Sequence, residues 1–329
     1  MNVSIIVPTY NRSRLLGELI CSIRSQSHRP IEVVIVDDGS TDDTSECVAK
    51  YIQASRQEEG FEVSLSKVLH RGAQAARNEG IRVARGEAIM FADSDDILAE
   101  RGLADLVDVL ARRPAVQFAY GKVQVSGMDF SSGSLGDAIG GVFCDTAKDL
   151  IDCHWHTMGA LYRRECVERI GMWNEDLKCS QDWEYQVRAK LFGGCCSFVD
   201  TLVGYWRQHD QERIGGKEFR NDYAESTEPL FLSIHNNAKC AGRNSELLER
   251  LLAKRLVRHA IYCGANGRKQ FKRQILTLAS CINGNCGLMR LAAWGLGATP
   301  AWLDKMAYSL MSHVKPVDIS KELRVQPRQ

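Results

Sequence analysis

Between residues 1 and 115 short apolar runs and helical stripes take turns along the chain. VSIIV (3–7) is a β-branched run that stops at Pro8, and Leu15, Leu16, Leu19, Ile20 and Ile23 follow at helical spacing. IEVVIV (31–36) leads through DDGSTDDT into a helix from about Thr44, and FEVSLSKVL (61–69) leads into another from about Ala73. EAIMFA (87–92) is the fourth run, and the helix predicted beyond it carries Leu98, Leu103, Leu106, Val107 and Leu110. Strands alternating with helices of this length predict a parallel α/β sheet whose two faces the helices cover. In such a sheet the ligand crevice lies beyond the carboxyl ends of the strands, beside the point where strand order reverses. PTYN, DDGS and DSDD all follow strand ends, whereas SQSHRP and ARGE on the opposite rim hold no comparable cluster.

After about residue 115 the alternation stops. QFAYGKVQV (117–125), TMGALY (157–162) and SFVDTLVGYW (197–206) read as strands, and the Gly- and Ser-rich 126–141 as a loop. Trp183, Val187 and Leu191 recur four apart and predict a helix over CSQDWEYQVRAKLFG. From about Lys217 the pattern is helical. The expected organisation is one α/β domain over 1–215 and a helical region over 216–329.

Charge divides the chain in the same way. The formal net charge is only +1, but residues 242–329 carry fifteen Lys and Arg against five Asp and Glu. A basic tail behind an acidic body fits an anionic partner, a membrane surface or an acidic substrate, with a solvated basic face as the alternative. Nucleic acid is not expected, because the tail lacks interleaved aromatic residues. The twelve Cys include no CxxC pair, which predicts reduced thiols and a cytoplasmic protein rather than a disulfide framework or a zinc ribbon. No basic leader precedes the first apolar run, so export is not expected.

FADSDD (91–96) places Asp93, Asp95 and Asp96 within four positions directly behind an apolar strand. Carboxylates that close repel one another unless a cation, a hydrogen-bonding turn or open solvent offsets the repulsion. A loop that cradles a nucleoside diphosphate would need a divalent ion, Mg2+ or Mn2+, and an ordinary turn with Asx caps is the competing explanation. Asp37 and Asp38 before Gly39 also read as a turn, Asp42 as a helix cap, and Asp182 as an N-cap.

VSIIVPTYNR, VVIVDDGSTDDT, GAQAARNEGI, FADSDD and GALYRRECVERIGMWNEDLKCSQDWEYQVR, in that order over roughly residues 1–210, together resemble the family 2 glycosyltransferases, which have the GT-A fold. The resemblance implies transfer of a sugar from a nucleotide sugar, a UDP-sugar favoured, to an acceptor hydroxyl of a growing glycan or glycolipid, with inversion. It implies that Pro8, Thr9 and Tyr10 hold the nucleoside and that Asp38 accepts a hydrogen bond from the base. Arg77 and Asn78 then close on the donor, with Arg71 a second candidate for phosphate. Asp93 and Asp95 fall where such enzymes place donor contacts, Asp95, Asp96 and His209 where they place metal ligands, and Asp182 where they place the catalytic base. As a base toward an alcohol, Asp182 needs either late proton removal or burial against Trp183.

The chain departs from the family at several points. It has no QxxRW motif and no membrane-spanning run, so one sugar per encounter is expected. Gln181 stands where many relatives have Glu. His154 and His156 flank Trp155 without other ligands nearby in sequence, so they read as an acceptor contact or a surface pair, and no zinc site is assigned. The stretch 287–311, apolar and broken at Pro300, suits shallow contact with a bilayer or a partner protein, or plain packing. A nucleotidyltransferase would need a Gly-rich basic loop after the first strand, and PTYNRSR is not one. A binding scaffold of the same fold predicts loss of the metal or base carboxylate, and both are present.

Overall fold

The computed structural model describes residues 1–127, 138–152, 154–207, 219–265 and 268–282. Four strands, β1 (Val3–Thr9), β2 (Ile31–Asp37), β3 (Phe61–Lys67) and β4 (Ala88–Phe91), are parallel and lie in the order β3-β2-β1-β4. The chain steps away from β1 to β2 and β3, then returns to place β4 on the other side of β1. Strand order therefore reverses between β1 and β4, and a crevice opens beyond Thr9 and Phe91.

The helices cover both faces, for a reason visible in β1. Successive strand side chains point to opposite faces. Val3, Ile5 and Val7 join Leu16, Leu19 and Ile20 of α1 (Ser13–Arg24) and Leu103, Leu106 and Leu110 of α4 (Gly102–Arg112). Ile6 points the other way, into a core with Ala76 of α3 (Ala73–Val83), Val167 and Ile170 of α6 (Arg164–Ile170) and Tyr185 of α7 (Gln181–Phe192). All four apolar residues are fully buried, each contributing about 1.5–3 kcal/mol, which is why the run is continuous rather than alternating. Helix α3 sits unusually close, since a Cβ at Gly80 would lie 2.2 Å from Ile6 Cγ2.

Beyond β4 the sheet is mixed, and here the sequence pattern is an incomplete guide. β8 (Ala160–Arg163) runs antiparallel to β4, and β6 (Phe118–Ser126) antiparallel to β8. β9 (Cys196–Arg207) is parallel to β6, while β5 (Ile97–Leu98) pairs antiparallel with β9 and β7 (Ala138–Ile139) with β6. Leu98, expected on a helix, is thus in a strand, and α4 begins only at Gly102. The cause is the close approach of β9: Ala99 N–H donates to the Val203 carbonyl at 2.9 Å, and a Cβ at Gly102 would lie 2.5 Å from Val203 Cα. Residues 157–159 of the expected strand form a 3-10 turn instead.

Two compact units divide after Asn244, beyond the boundary expected at 215. The first includes α8 (Phe219–Cys240), which docks on α7: Phe231 meets Trp183 edge-on at 5.5 Å, and Ser233 Oγ donates to Glu184 Oε1 at 2.7 Å. In the second unit α9 (Glu246–Ala265) and α10 (Lys269–Ile282) pack together and bury Leu252, Leu256, Ile275 and Leu276. Arg250, Lys254 and Arg258 recur at every fourth residue of α9, and all three are exposed. The stretch 287–311 and His209 lie outside the described residues. No helix among the described residues is long and apolar enough to cross a membrane.

Candidate active site

The loops after β1, β2, β3 and β4 meet at the crevice, and hydrogen bonds between them fix its walls. Asn11, at φ 50°, is in the left-handed region that Asn tolerates better than most residues. Its Oδ1 accepts from Thr41 N at 2.8 Å, while Ser40 Oγ accepts from Asn11 N at 2.9 Å, so the first two loops are knotted together. Asp37 closes the second loop as a turn, accepting from Ser40 N at 2.8 Å and Ser45 Oγ at 3.1 Å. Asp42 accepts from Thr44 N at 3.0 Å at the start of α2 (Thr44–Ser55).

Asp38 does something else. It is buried, its own N–H donates to the Thr9 carbonyl at 2.9 Å, and its carboxylate accepts from the backbone N–H groups of Arg71 and Gly72, both at 2.8 Å. It therefore ties β2 to the loop between β3 and α3. His70 in that loop sits 3.0 Å from the Asp38 carboxylate and lies against the Tyr10 ring, centroids 4.3 Å apart. Tyr10 stays 40% exposed, which leaves ring surface available to a ligand. Thr9 Oγ1 is buried with no hydrogen-bond partner.

The cationic side of the crevice comes from α3. Arg77 is buried, its Nη2 donates to Asp93 at 2.5 Å, and its guanidinium carbon lies 4.5 Å from the centre of the Trp173 ring. Its Nε and Nη1 have no partner, leaving donors ready for an anion. Asn78 is committed differently: Oδ1 accepts from Trp173 N at 2.7 Å, and Nδ2 donates to Trp173 O at 3.0 Å and Glu175 at 2.8 Å. Asn78 thus pins the strip on which Arg77 rests. Arg71, largely exposed, also pairs with Glu175.

The three aspartates of the acidic loop have different partners. Asp95 pairs with Arg12, and Asp93 takes Arg77. Asp96 is fully buried; its Oδ1 accepts from Arg207 N at 3.1 Å, and its Oδ2 has no partner. Burial, reinforced by the charges of Asp95 and Asp93, pushes its carboxyl well above the usual carboxylate range. A ligand atom from each of Asp93, Asp96 and His156 lies within 4.8 Å of the others, a set that fits a divalent cation in its donors and in the orphaned Oδ2.

His156 is the residue that sequence reasoning left unassigned. The HxH pair splits: His154 turns to Asp149, 3.5 Å away, while His156 turns toward Asp96 and lies beside Trp206, ring centroids 5.3 Å apart. The antiparallel pairing of β8 with β4 brings it there, since the residues before β8 meet those after β4. The sequence holds no signal for that register. Arg12, His70 and Glu175 were missed for a similar reason, their partners lying 83, 32 and 104 positions away.

Asp182 occupies the first turn of α7, after Ser180 at φ 56°, and is no cap: the cap position is Ser180. Asp182 is exposed, whereas Trp183 is buried and donates from Nε1 to the Ile151 carbonyl at 2.6 Å. Burial of Asp182 against Trp183 is therefore not realised; neighbours on a helix point about 100° apart. Burial lowers the pKa of His156, and the charges of Asp93, Asp182 and Asp95 oppose that shift.

Residues 4–171 match the family described as Glycosyl transferase family 2, just over half of the chain. Glycosyltransferase GlyG of Streptococcus pneumoniae is 38% identical over 118 residues, 34% of this chain and 36% of that one. The poly(ribitol-phosphate) beta-N-acetylglucosaminyltransferase TarS of Staphylococcus aureus is 38% identical over 107 residues, 32% and 18% of the two chains. An uncharacterized glycosyltransferase of Nostoc is 28% identical over 177 residues, so the chain spans about half or less of these relatives' lengths. Among solved structures, S. aureus TarS 1–349 in complex with UDP-GlcNAc superposes with a TM-score of 0.71 at 20% identity, covering 94% of this chain and 92% of that one. The mannosyltransferase PcManGT of Pyrobaculum calidifontis, in complex with GDP-Man and Mn2+, gives 0.55 at 21% identity, covering 95% and 81%. The reversal of strand order at β1, the loops gathered there and the matched span agree: this chain belongs to glycosyl transferase family 2 and has the GT-A fold.

Proposed function

We propose that the chain transfers one sugar per encounter from a nucleoside-diphosphate sugar, UDP-linked, to a hydroxyl of a growing cell-surface glycan or lipid-linked saccharide, with inversion and dependence on Mg2+ or Mn2+. The observation that carries this reading is the fully buried Oδ2 of Asp96, which has no hydrogen-bond partner and lies in one cluster with Asp93 and His156. Such a carboxylate is costly to maintain unless a cation joins it. The UDP-GlcNAc bound by TarS and the GDP-Man and Mn2+ bound by PcManGT support a nucleotide-sugar donor and a metal.

Asp96 and Asp93, with Asp95 beside them, are the residues that would hold the ion, and His209 remains a candidate. When bound, a divalent cation supplies Lewis-acid neutralisation of the leaving diphosphate. The chain's own groups do the rest. Pro8, Thr9 and the exposed face of Tyr10 form the nucleoside wall, and Asp38 holds that wall in place while keeping lone pairs for a base edge. Arg77 offers Nε and Nη1 to the donor, and Arg71 stands at the entrance for phosphate. Asp182 takes the proton from the acceptor hydroxyl as oxygen attacks the anomeric carbon from the side opposite the leaving group. Its exposure suits an acceptor arriving from solvent, and proton removal then runs late, alongside bond formation. The basic stripe on α9 fits peripheral contact with an anionic surface on the cytoplasmic face.

The test is a panel of nucleotide sugars assayed for release of free nucleotide, with Mn2+, with Mg2+ and with chelator, alongside Asp96→Ala and Asp182→Ala. Metal-dependent release lost in both variants is expected. A wild type that binds a donor but neither hydrolyses nor transfers it overturns the reading in favour of a binding scaffold.

A further inference from the structure

His70, on the loop between β3 and α3, makes two contacts with the nucleoside wall. Its Nδ1 lies 2.9 Å from the Asp38 carbonyl oxygen and 3.0 Å from Asp38 Oδ2; both atoms accept, so Nδ1 carries the proton and donates it. The same ring leans on Tyr10, centroids 4.3 Å apart and planes at 33°. A flat π face against Tyr10 and a ring N–H on Asp38 are the two features that a uracil would bring to this wall. Rings at that spacing admit no third ring between them. A base that only stacks can use the open side of Tyr10, but one that also reaches Asp38 needs the side His70 covers, since Asp38 is only 3% exposed and the imidazole stands against its carboxylate.

We infer that the His70 side chain is a built-in competitor for the nucleobase, seated where the base binds, and that it must swing out before a donor is held. The inference rests on the proposed function and adds a regulation of that same site. The loop is built so that the side chain can move alone. Its backbone is held on both sides of His70: Val68 N donates to the Asp37 carbonyl at 2.9 Å, and Arg71 N and Gly72 N donate to the Asp38 carboxylate, both at 2.8 Å. Gly39, at φ 80°, lets that backbone come close, for a Cβ there would lie 3.2 Å from His70 N. The imidazole itself is 58% exposed, and its Nε2 bonds nothing among the described residues, so one rotamer change carries it into solvent while the loop stays in place. Donor affinity is then scaled down by the fraction of molecules in which the ring is out.

The experiment is calorimetric titration of the full chain with UDP and, separately, with pyrophosphate, which has no base, on wild type, His70→Phe and His70→Ala with Mg2+ present. In parallel, the histidine ring signal shielded by Tyr10 is followed by NMR in wild type. His70→Ala should bind UDP about three- to tenfold more tightly, the worth of one ring contact and one hydrogen bond, and pyrophosphate as before. His70→Phe keeps a ring and loses the N–H, so its UDP affinity should fall between the two. The shielded signal should move when UDP is added and stay when pyrophosphate is, a reading on wild type that depends on no variant. UDP bound no better by His70→Ala, or a shielded signal that UDP leaves in place, overturns the inference. Donor turnover without any gain in His70→Ala sinks the competing ring and leaves sugar transfer standing; tighter UDP without turnover of any donor does the reverse.

Discussion

Arg77 rests face-on against Trp173, guanidinium carbon 4.5 Å from the ring centre. Trp173 is in turn stacked on Tyr185, centroids 4.2 Å apart at 9°, and meets Phe91 edge-on at 5.1 Å. The Arg77 guanidinium is thus held by a pile of rings rooted in the sheet, because a buried cation over an aromatic face gains about 2 kcal/mol.

Trp173→Leu removes that support and leaves a void. Stability should fall by about 3 kcal/mol or more, and the donor KM should rise up to about tenfold. Trp173→Phe keeps a ring and should restore most of the KM while recovering only part of the stability. Thermal unfolding and donor saturation curves read the two effects separately; a KM unchanged in Trp173→Leu would show that Arg77 needs no platform.

Asp182→Asn should lower kcat about 100- to 10,000-fold, the usual contribution of a positioned base. UDP affinity by calorimetry should not change, and because Asp182 is exposed the unfolding free energy should stay within about 0.5 kcal/mol of wild type. A kcat that survives the substitution would move the base elsewhere.

Gly80→Ala forces a Cβ onto Ile6 Cγ2, 2.2 Å away, and should cost about 1–3 kcal/mol. Since Arg77 lies one turn earlier on α3, donor binding should weaken with it. In combination with Ile6→Ala the two costs should sum to less than their separate values by about 0.5 kcal/mol or more, measured by urea unfolding. Strict additivity would mean the helix yields without touching the strand.

His259, largely buried on α9, has its pKa pushed down to about 4, first by burial and then by Arg255 and Arg258. The unfolded chain binds that proton near pH 6.5 and the folded chain does not, so this contribution is intact above pH 6.5 and is lost as pH falls toward 4. Its size is at most ~3 kcal/mol. Urea midpoints at pH 7 and pH 4.5 should drop less in His259→Leu than in wild type, and an equal drop would clear His259 of the effect.

The parallel half of the fold was legible because β1, β2 and β4 are buried on both faces, the edge strand β3 mainly on one, and each helix on one, so the apolar pattern changes period at every boundary. The rim loops were legible too, for polar turn residues behind apolar runs have few other uses. Leu98 went astray because an apolar residue beside a helical stripe reads as part of it, although pairing with β9 claimed it. Asp38 could be singled out from DDGS, yet its bonds to Arg71 and Gly72 depend on how β2 and β3 align. His156 needed the antiparallel register of β4 and β8, which no local pattern encodes. Beyond residue 115 the strands could be read one by one but their pairing could not, for the same reason: mixed pairing there joins strands distant along the chain.

That register has a consequence for how the molecule matures. Asp93 and Asp96 belong to the first hundred residues, but His156 reaches them only once β8 has slotted in beside β4, so a nascent or truncated chain carrying the acidic loop alone would hold an incomplete cage. An ion held between those residues would be a seal on the finished sheet, binding only on copies in which β8 and β4 have paired.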